Sequence, residues 1–165
     1  MRRFKTLGPV AGTALAVVLA CAPLAHAAAP TPDTLGGGGD GKGKVIKLVA
    51  LLRQAATIPV DGPGLSLGDR QVGNDELFQN GRKVGSDGFV CTVTSLSPDE
   101  RECEITLHLP KGDIAIQGLA PVIQSFPTEF TLAITGGTGV YRDARGFVTG
   151  TNVNPTETDI TLHLT

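Results

Sequence analysis

The sequence predicts an all-β fold, an eight-stranded antiparallel β-barrel over residues 45–165. Along this stretch, short segments alternate apolar and polar side chains with a period of two, which is typical of strands that bury one face. Proline, glycine, asparagine and aspartate cluster between these segments, as they do in tight turns. Eight antiparallel strands joined by such turns can close into a small barrel, which leaves no open sheet edge. A sandwich of two sheets is the alternative architecture.

The eight predicted strands follow one another with only short breaks. The first is ambiguous, because VIKLVALLRQAA (45–56) contains good helix formers. Its bounding β-branched residues and the all-β pattern around it favour a strand over a helix. Alternation is clearest in the third, fourth, sixth and eighth runs, whose apolar faces begin at Phe89, Ile105, Phe130 and Ile160. The runs cover residues 45–58, 69–79, 83–96, 101–109, 113–124, 128–135, 145–153 and 157–165.

The glycine cluster GGTG (136–139) raises the question whether the chain binds a phosphate. A P-loop needs GxxxxGK[ST] with its lysine and a helix behind it, and neither follows this cluster. A dinucleotide-binding loop needs a third glycine at the position that Arg142 occupies. The residues that come next, GFVTGTNV, have the character of a strand. The cluster therefore predicts a turn between two strands, and nucleotide binding is excluded.

Residues 1–27 have the character of a secretory signal peptide. A basic start precedes an apolar stretch that is too short to span a bilayer, and AHA at 25–27 matches a small-x-small cleavage site. Residues 28–44 are rich in proline and then in glycine, which predicts a flexible linker before the barrel domain. We therefore expect a secreted protein. The alternative is a lipoprotein held at the cell surface through Cys21, because VLAC (18–21) loosely resembles a lipobox.

The charge of the chain excludes two classes of partner. Three of the 14 basic residues and none of the 16 acidic residues lie in the signal segment, so the exported chain is more acidic than the formal net charge of −2 for the whole sequence. A mildly acidic chain without a basic run does not suit nucleic acid or an anionic membrane surface. We expect neither partner, apart from a membrane anchor if Cys21 is lipidated.

Two cysteines, Cys91 and Cys103, belong to the predicted barrel. They lie on the apolar faces of consecutive predicted strands, and pairing about a turn near Ser97 places them opposite each other. In an exported protein an even pair of cysteines favours a disulfide over two buried free thiols, which are the alternative. Closing the loop between them would contribute about 3 kcal/mol to stability.

Four segments in order resemble the allene oxide cyclase barrel family: SLGDRQVGNDELF (66–78), GRKVGSDGFVC (81–91), KGDIAIQG (111–118) and LAITGGTGVYRDARGFV (132–148). Plant dirigent proteins, which share that barrel, contain a similar GGTG-aromatic-Arg segment. The resemblance implies a calyx-like barrel with an apolar cavity for a small hydrophobic ligand, usually assembled as a homotrimer. It also implies chemistry without a metal or organic cofactor: ring closure on an unstable fatty-acid epoxide, steering of radical coupling, or cyclisation in polyketide pathways.

The functional residues of the plant cyclases are only partly matched. The resemblance implies a glutamate on the first strand, yet no carboxylate lies between Gly43 and Val60. It also implies an asparagine further along, and the spacing from SLGD puts Asp75 at that position. Cys91 matches a cavity cysteine of the cyclases. The oxygen-binding groups of the plant enzyme are thus mostly missing, and its exact reaction is not carried over.

The candidate catalytic residues are Asp75, Tyr141 and Arg142. Asp75 lies beside Glu76, but neighbours on a strand point to opposite faces, so the two carboxylates do not share a site. Asp75 can serve acid–base chemistry at the barrel mouth. Tyr141 can donate a proton or simply pack, and Arg142 can bind a ligand carboxylate or join a solvated charge cluster. The two histidines of the barrel lie on polar faces with no third ligand at matching spacing, so no metal site is predicted.

These observations predict a secreted barrel that encloses a small hydrophobic ligand. It would act as a cofactor-free cyclase or isomerase, or as a dirigent-like orienting protein, through shape and confinement. A non-catalytic ligand-binding barrel and a structural barrel filled by its own side chains are the alternatives. A ligand-sized apolar cavity with a polar group or two would separate the binding and catalytic hypotheses from the filled barrel.

Overall fold

A closed antiparallel barrel runs through residues 43–165, the part of the chain that the computed structural model describes. The predicted fold class is confirmed, and the sandwich is excluded because the first strand pairs with the last. The predicted signal segment 1–27, Cys21 and all but the end of the predicted linker 28–44 lie outside the described residues. The strands are β1 (Lys44–Ile58), β2 (Arg70–Gln79), β3 (Arg82–Leu96), β4 (Asp99–Leu109), β5 (Gly112–Pro121), β6 (Thr128–Gly137), β7 (Gly146–Asn154) and β8 (Glu157–Leu164).

The ambiguous first segment is a strand. Ile46, Leu48 and Ala50 alternate into the interior and are buried, while Lys47 between them is exposed. β1 pairs with β2 on one side and with β8 on the other, so neighbouring strands use its backbone donors and acceptors. A helix in its place would leave two open sheet edges, and the closed barrel avoids that cost.

The barrel interior is filled by large apolar side chains at one end, which we call the packed half. This end carries the β4–β5 turn and the C-terminal end of β8. Its largest fully buried side chains are Leu77, Leu107, Ile114, Val148 and Leu162. In the opposite half, which we call the hollow half, several inward positions carry small or polar residues, so side-chain volume there does not fill the eight-stranded barrel.

Cys91 and Cys103 are cross-strand partners on β3 and β4, and they form a disulfide. Their Cα atoms are 4.0 Å apart, and both residues are buried inside the barrel. The strand register places them opposite each other, as the sequence predicted, and the structure has the bonded pair in place of two free thiols.

Replacing both cysteines with alanine is expected to lower the free energy of unfolding by about 3 kcal/mol, because the bond closes a loop between residues 12 positions apart. Urea unfolding of the full chain measures the loss. Reduction of the unmodified protein should reproduce it. A stability that is the same with and without reductant would contradict the assignment.

The GGTG cluster ends β6 at Gly137 and begins the connection to β7, as predicted, and this connection contains a 3₁₀ helix, Gly139–Tyr141. Gly139 has a φ of +58°, and a Cβ atom there would lie 2.3 Å from the Lys111 carbonyl oxygen, so this position requires glycine. The Val140 N–H donates to that same carbonyl, which fastens the turn to the β4–β5 turn in the packed half. Within residues 43–165, the structure contains no helix of the length and apolarity needed to cross a membrane.

Candidate functional site

A cavity of about 450 Å³ occupies the hollow half of the barrel. Small-molecule sites span about 300–1,000 Å³, so this space is ligand-sized. Two loops, 59–69 and 122–127, add Leu65 and Phe126 to the wall at its mouth. The alternative of a structural barrel whose interior is filled by its own side chains therefore does not fit the structure. The apolar part of the wall includes Leu52, Phe89, Val93, Ile123, Phe130 and Ile160.

Two aromatic rings of the cavity wall lie over glycines of the neighbouring strand. Phe89 pairs with Gly73 across β3 and β2, and Phe130 pairs with Gly150 across β6 and β7. A Cβ atom on Gly73 would lie 2.5 Å from the Phe89 ring, and one on Gly150 would lie 2.1 Å from the Phe130 ring. The absence of a side chain at these glycines thus lets both rings lie against the wall and keeps the space between them open.

The cavity floor carries a pair of carboxyl groups, Asp75 on β2 and Asp87 on β3. The two residues are direct cross-strand partners, and the Asp75 N–H donates to Asp87 Oδ1 at 3.1 Å. Asp75 lines the cavity, whereas Asp87 lies behind it with 6% of its surface exposed. The Oδ1 atom of Asp75 is buried and has no hydrogen-bond partner among the described residues.

Burial and mutual repulsion keep a proton on this pair until the pH reaches about 7. Burial, and then the negative charge of Asp75, raise the pKa of Asp87 to about 7. Burial also raises the pKa of Asp75, and interaction with the Asp87 side chain opposes that rise. Two carboxyl groups this close cannot both ionise freely, so the pair shares one proton, held mainly by the deeper Asp87. Asp75 is left as a carboxylate that faces the cavity.

Asp87→Asn is expected to make the protein more stable relative to wild type as the pH rises. The raised pKa of Asp87 means that the folded state keeps a proton that the unfolded chain loses above about pH 4. The contribution of Asp87 to the free energy of unfolding of the wild-type protein is therefore complete below about pH 4. It decreases by on the order of 2–4 kcal/mol as the pH rises to about 7. Urea unfolding of both proteins from pH 4 to 8 measures the growing difference.

Glu76→Gln is the matched control for this experiment. Glu76 faces outward, and its hydrogen-bonded ion pairs with Lys83 and then with Arg53, both at 2.7 Å, lower its pKa. The ion pairs of Glu76 stabilise the folded protein above the ordinary glutamate pKa and no longer do so in acid. Glu76→Gln should therefore become less stable relative to wild type as the pH rises, which is opposite to the trend expected for Asp87→Asn. If the free energies of unfolding of Asp87→Asn and wild type differ by the same amount at every pH in this range, the shared-proton assignment is contradicted.

A second polar pair, Gln71 and Arg101, lies nearer the cavity mouth. Arg101 Nη1 donates to Gln71 Oε1, and Arg101 Nε is buried without a hydrogen-bond partner among the described residues. Burial lowers the pKa of Arg101. Gln71 and Asp75 lie four residues apart on the same face of β2, so their Cα atoms are about 13 Å apart. The cavity thus has a carboxylate at its floor and a guanidinium near its mouth.

Asp69 fixes the loop 59–69 at the cavity mouth. Its carboxylate accepts hydrogen bonds from the N–H groups of Val60 and Ser66, both at 2.8 Å, and from the Ser66 hydroxyl at 2.6 Å. These bonds, that of the Ser66 side chain first, lower the pKa of Asp69. Because its oxygens are engaged with the loop, Asp69 acts as a structural clamp and not as a free acid–base group.

The structure does not bring the three predicted catalytic residues together. Asp75 lies in the cavity, whereas Tyr141 and Arg142 lie beyond the packed half, beside the β4–β5 turn. Tyr141 packs against the core with Lys44 Nζ 5.8 Å from its ring centroid, and Arg142 is exposed and paired with Asp143. The prediction that Glu76 and Asp75 face opposite sides is confirmed.

The two histidines among the described residues lie on the outside of the barrel, as predicted. His108 pairs with Asp113 at 2.7 Å, and His163 stacks on Phe147 with ring centroids 4.4 Å apart. Among residues 43–165, no cluster of three or more metal-ligating side chains is present.

Sequence reasoning missed Asp87, Gln71 and Arg101. The signal was available, because Asp87 is in phase with Phe89 and Cys91 on the inward face of β3, and Arg101 is in phase with Cys103 on β4. The predicted disulfide register therefore already placed both charged side chains inside the barrel. A charged residue in phase with a buried face points into the barrel just as its apolar neighbours do, and its costly burial makes it a candidate site residue.

The family model of the allene oxide cyclase barrel like domain matches residues 49–162. The chain belongs to this family, as the four segments indicated. A comparison with curated protein sequences gave no match.

Several solved structures have the same fold. A pyocyanin demethylase is 34% identical, with a TM-score of 0.67, and the match covers 74% of this chain and 100% of that one. A pterocarpan synthase dirigent protein is 18% identical, with a TM-score of 0.56, over 73% of this chain and 83% of that one. An exo-specific intermolecular Diels–Alderase is 17% identical, with a TM-score of 0.59, over 75% of this chain and 98% of that one. The last two support the fold alone.

Proposed function

We propose that the hollow half of the barrel binds a small planar apolar molecule and that Asp75 catalyses proton transfer on it without a cofactor. The observation that carries this proposal is the coupled Asp75–Asp87 pair on the floor of a ligand-sized cavity. A carboxyl pair whose pKa reaches about 7 can both accept and return a proton at neutral pH. This is an isomerase type of chemistry, in line with the cyclases and coupling proteins of the family.

The ligand we propose is a planar nitrogen heteroaromatic of the phenazine type. Two lines support this class. The Phe89 and Phe130 rings provide flat apolar walls, which suit a fused aromatic ring system. The similar pyocyanin demethylase, matched over its whole length, acts on a phenazine. Pyocyanin is therefore the first probe to use.

In the proposed step, the Asp75 carboxylate removes a proton from one ligand atom and returns it to another. The electron pair stays on the ligand, so atoms and electrons balance and no oxidant or co-reactant enters. Asp87 does not line the cavity and acts through Asp75, because its proton and its burial set the pKa of the pair. The apolar walls exclude water and confine the ligand over the carboxylate.

Isotope exchange tests this function directly. The full chain is incubated with pyocyanin in D₂O, and mass spectrometry follows deuterium at carbon-bound positions of the ligand or of any product. We expect saturable exchange or conversion above the rate without protein. Binding of pyocyanin without exchange or conversion would contradict the catalytic role, and absence of binding would contradict the proposed ligand class.

Gly150→Ala is expected to weaken pyocyanin binding by about tenfold or more, because the new Cβ atom occupies the place of the Phe130 ring and drives it into the cavity. Isothermal titration calorimetry measures the dissociation constant. The double variant Gly150→Ala/Phe130→Ala removes the displaced ring but also the flat wall that the ring provides, so its affinity should lie between those of Gly150→Ala and wild type. A single variant that binds as tightly as wild type would show that the ligand lies elsewhere.

We also propose that the protein is secreted and that cleavage follows Ala27. The basic and apolar start of the sequence supports export, and the buried disulfide suits an oxidising compartment. Intact-mass measurement of the protein from the producing culture should give a chain that starts at Ala28. A cell-bound chain that starts at a lipidated Cys21 would contradict this and support the lipoprotein alternative.

Self-association as a trimer is the remaining part of the proposal. Apolar side chains on the outer barrel surface support it, since Val90, Leu119, Phe147 and Val153 are each at least 39% exposed. Light scattering coupled to size-exclusion chromatography should give three times the chain mass, and a monomer at micromolar concentration would contradict it.

A further inference from the structure

We propose that Arg101 makes the cavity selective for ligands that carry a carboxylate. This inference rests on the proposed function and narrows its substrate class, from planar aromatics in general to planar aromatic acids. The anionic group would lie near the cavity mouth, while the reacting part of the ring system lies over Asp75.

The position of Arg101 is unusual for an arginine. It lies on β4 in phase with the buried Cys103, it lines the cavity, and it is paired across the sheet with Val93 and Ala120. Both of these cross-strand partners are buried and apolar. An arginine at such an inward position holds its charge beside apolar neighbours, and burial of a charge is costly unless it is paired.

No carboxylate supplies that pairing among residues 43–165, because Arg101 takes part in none of the ion pairs there. Three carboxylates line the same cavity, and each is engaged elsewhere. Asp69 is hydrogen-bonded to its own loop, Asp75 is coupled to Asp87, and Glu157 accepts a hydrogen bond from the Asn154 side chain. The partner that Arg101 does have, Gln71 Oε1, is neutral. A desolvated guanidinium without a counter-charge is therefore built into the cavity wall, and a ligand can provide the missing anion.

The free edge of the guanidinium has the shape for a carboxylate. Nη1 is engaged by Gln71, while Nε is buried and has no partner among the described residues. Nε and Nη2 form the edge of the guanidinium on the far side from Nη1. These two parallel N–H groups match the two oxygens of one carboxylate, which gives a bidentate, charge-assisted pair. The Gln71 contact thus holds the guanidinium through Nη1 and leaves the opposite edge without a partner among the described residues.

The spacing along β2 fits a ligand that reaches both ends of the cavity. Gln71, which holds Arg101, and Asp75 are about 13 Å apart at their Cα atoms, and both side chains extend into the cavity. A fused three-ring aromatic with a carboxylate at one end is comparable in length to the gap that these side chains leave. Arg101 would then fix which edge of the ring system faces Asp75.

A matched pair of ligands tests the inference by binding alone. Phenazine-1-carboxylate and its neutral isostere phenazine-1-carboxamide are titrated into the full chain by calorimetry, at about 0.5 M salt so that long-range attraction is screened. We expect wild type to bind the carboxylate at least tenfold more tightly than the carboxamide. Arg101→Gln should bring that ratio to about one, and binding of the carboxamide within about threefold of wild type shows that the variant is folded.

Arg82→Gln is the control, since it removes the same charge from the exposed start of β3 at the other end of the barrel and should leave the ratio unchanged. Equal binding of both ligands by wild type would overturn the inference and leave the proposed function standing. A carboxylate preference that survives Arg101→Gln would also overturn it. If neither ligand nor pyocyanin binds, the proposed function itself fails.

Discussion

Asp75→Asn is expected to lower the rate of proton exchange into bound pyocyanin by about 100-fold or more, the usual contribution of a positioned acid–base group. Asparagine keeps the size and much of the hydrogen bonding of aspartate but cannot accept the proton. Asp75 is also the carboxylate of the pair that lines the cavity, so Asp87 cannot replace it from behind. The dissociation constant of the ligand should change by less than about tenfold, which separates a catalytic loss from a binding loss.

Glu76→Gln provides the comparison for this prediction. Glu76 is the next residue in the sequence and loses the same negative charge, but it faces outward and pairs with Arg53 and Lys83. The Glu76→Gln variant should exchange protons into bound pyocyanin at the same rate as wild type. Equal rates for Asp75→Asn and wild type would refute the catalytic role of Asp75, and equal losses in both variants would show that the effect is one of stability or net charge.

Leu107→Ala is expected to lower the free energy of unfolding by about 3–5 kcal/mol, near the upper end of leucine-to-alanine changes in protein cores. Leu107 is fully buried in the packed half, among side chains that cannot collapse into the space it leaves. The cost therefore includes both the lost transfer free energy and a new cavity. Urea unfolding with a two-state fit measures it, and the unchanged slope with denaturant checks that the comparison is valid.

Leu52→Ala is the matched substitution in the hollow half. Leu52 already borders the open cavity and is only partly buried, so its truncation enlarges an existing space and leaves no new void in a packed region. We expect a cost below about 2 kcal/mol. Similar losses for Leu52→Ala and Leu107→Ala would mean that the two halves of the barrel are packed alike, and the cavity would then be absent in solution.

Much of the fold could be predicted from the sequence, because strands with one buried face have a period of two that is visible in each run. β8 is an example, since Ile160, Leu162 and Leu164 alternate with polar residues and all three are buried. The register of β3 and β4 followed from two cysteines in phase. Even the ambiguous first segment followed from its bounding β-branched residues and from the all-β pattern around it.

The candidate site was predictable only in part. Asp75 was found through family spacing, but Asp87 was not, because its role depends on a cross-strand register between β2 and β3 that shifts at Leu77. Tyr141 and Arg142 were named with Asp75 because a tyrosine can donate a proton and an arginine can bind a carboxylate, and neither property depends on which end of the barrel they occupy. The turn that carries both residues joins β6 to β7 at the packed end of the barrel, beside the β4–β5 turn. The end at which a turn lies depends on the direction of each strand in the closed barrel, which the sequence near the turn does not show.

The hollow half itself could not be predicted, because it depends on side-chain volume summed over eight strands. Gly73 and Gly150 illustrate this. In the sequence each interrupts a strand pattern, and only the three-dimensional pairing shows that each accommodates an aromatic ring from its neighbour. Local periodicity indicates which side chains face inward but not whether together they fill the interior.

The shared proton of Asp75 and Asp87 is the claim on which the proposed function depends most. Carbon-13 NMR of the side-chain carboxyl groups, assigned with Asp87→Asn and followed from pH 3 to 9, measures it in the full chain without any ligand. We expect Asp87 to titrate near pH 7, far above the ordinary range of an aspartate. Titration of both Asp75 and Asp87 below about pH 5 would contradict it, because the pair would then be fully ionised and solvated at neutral pH.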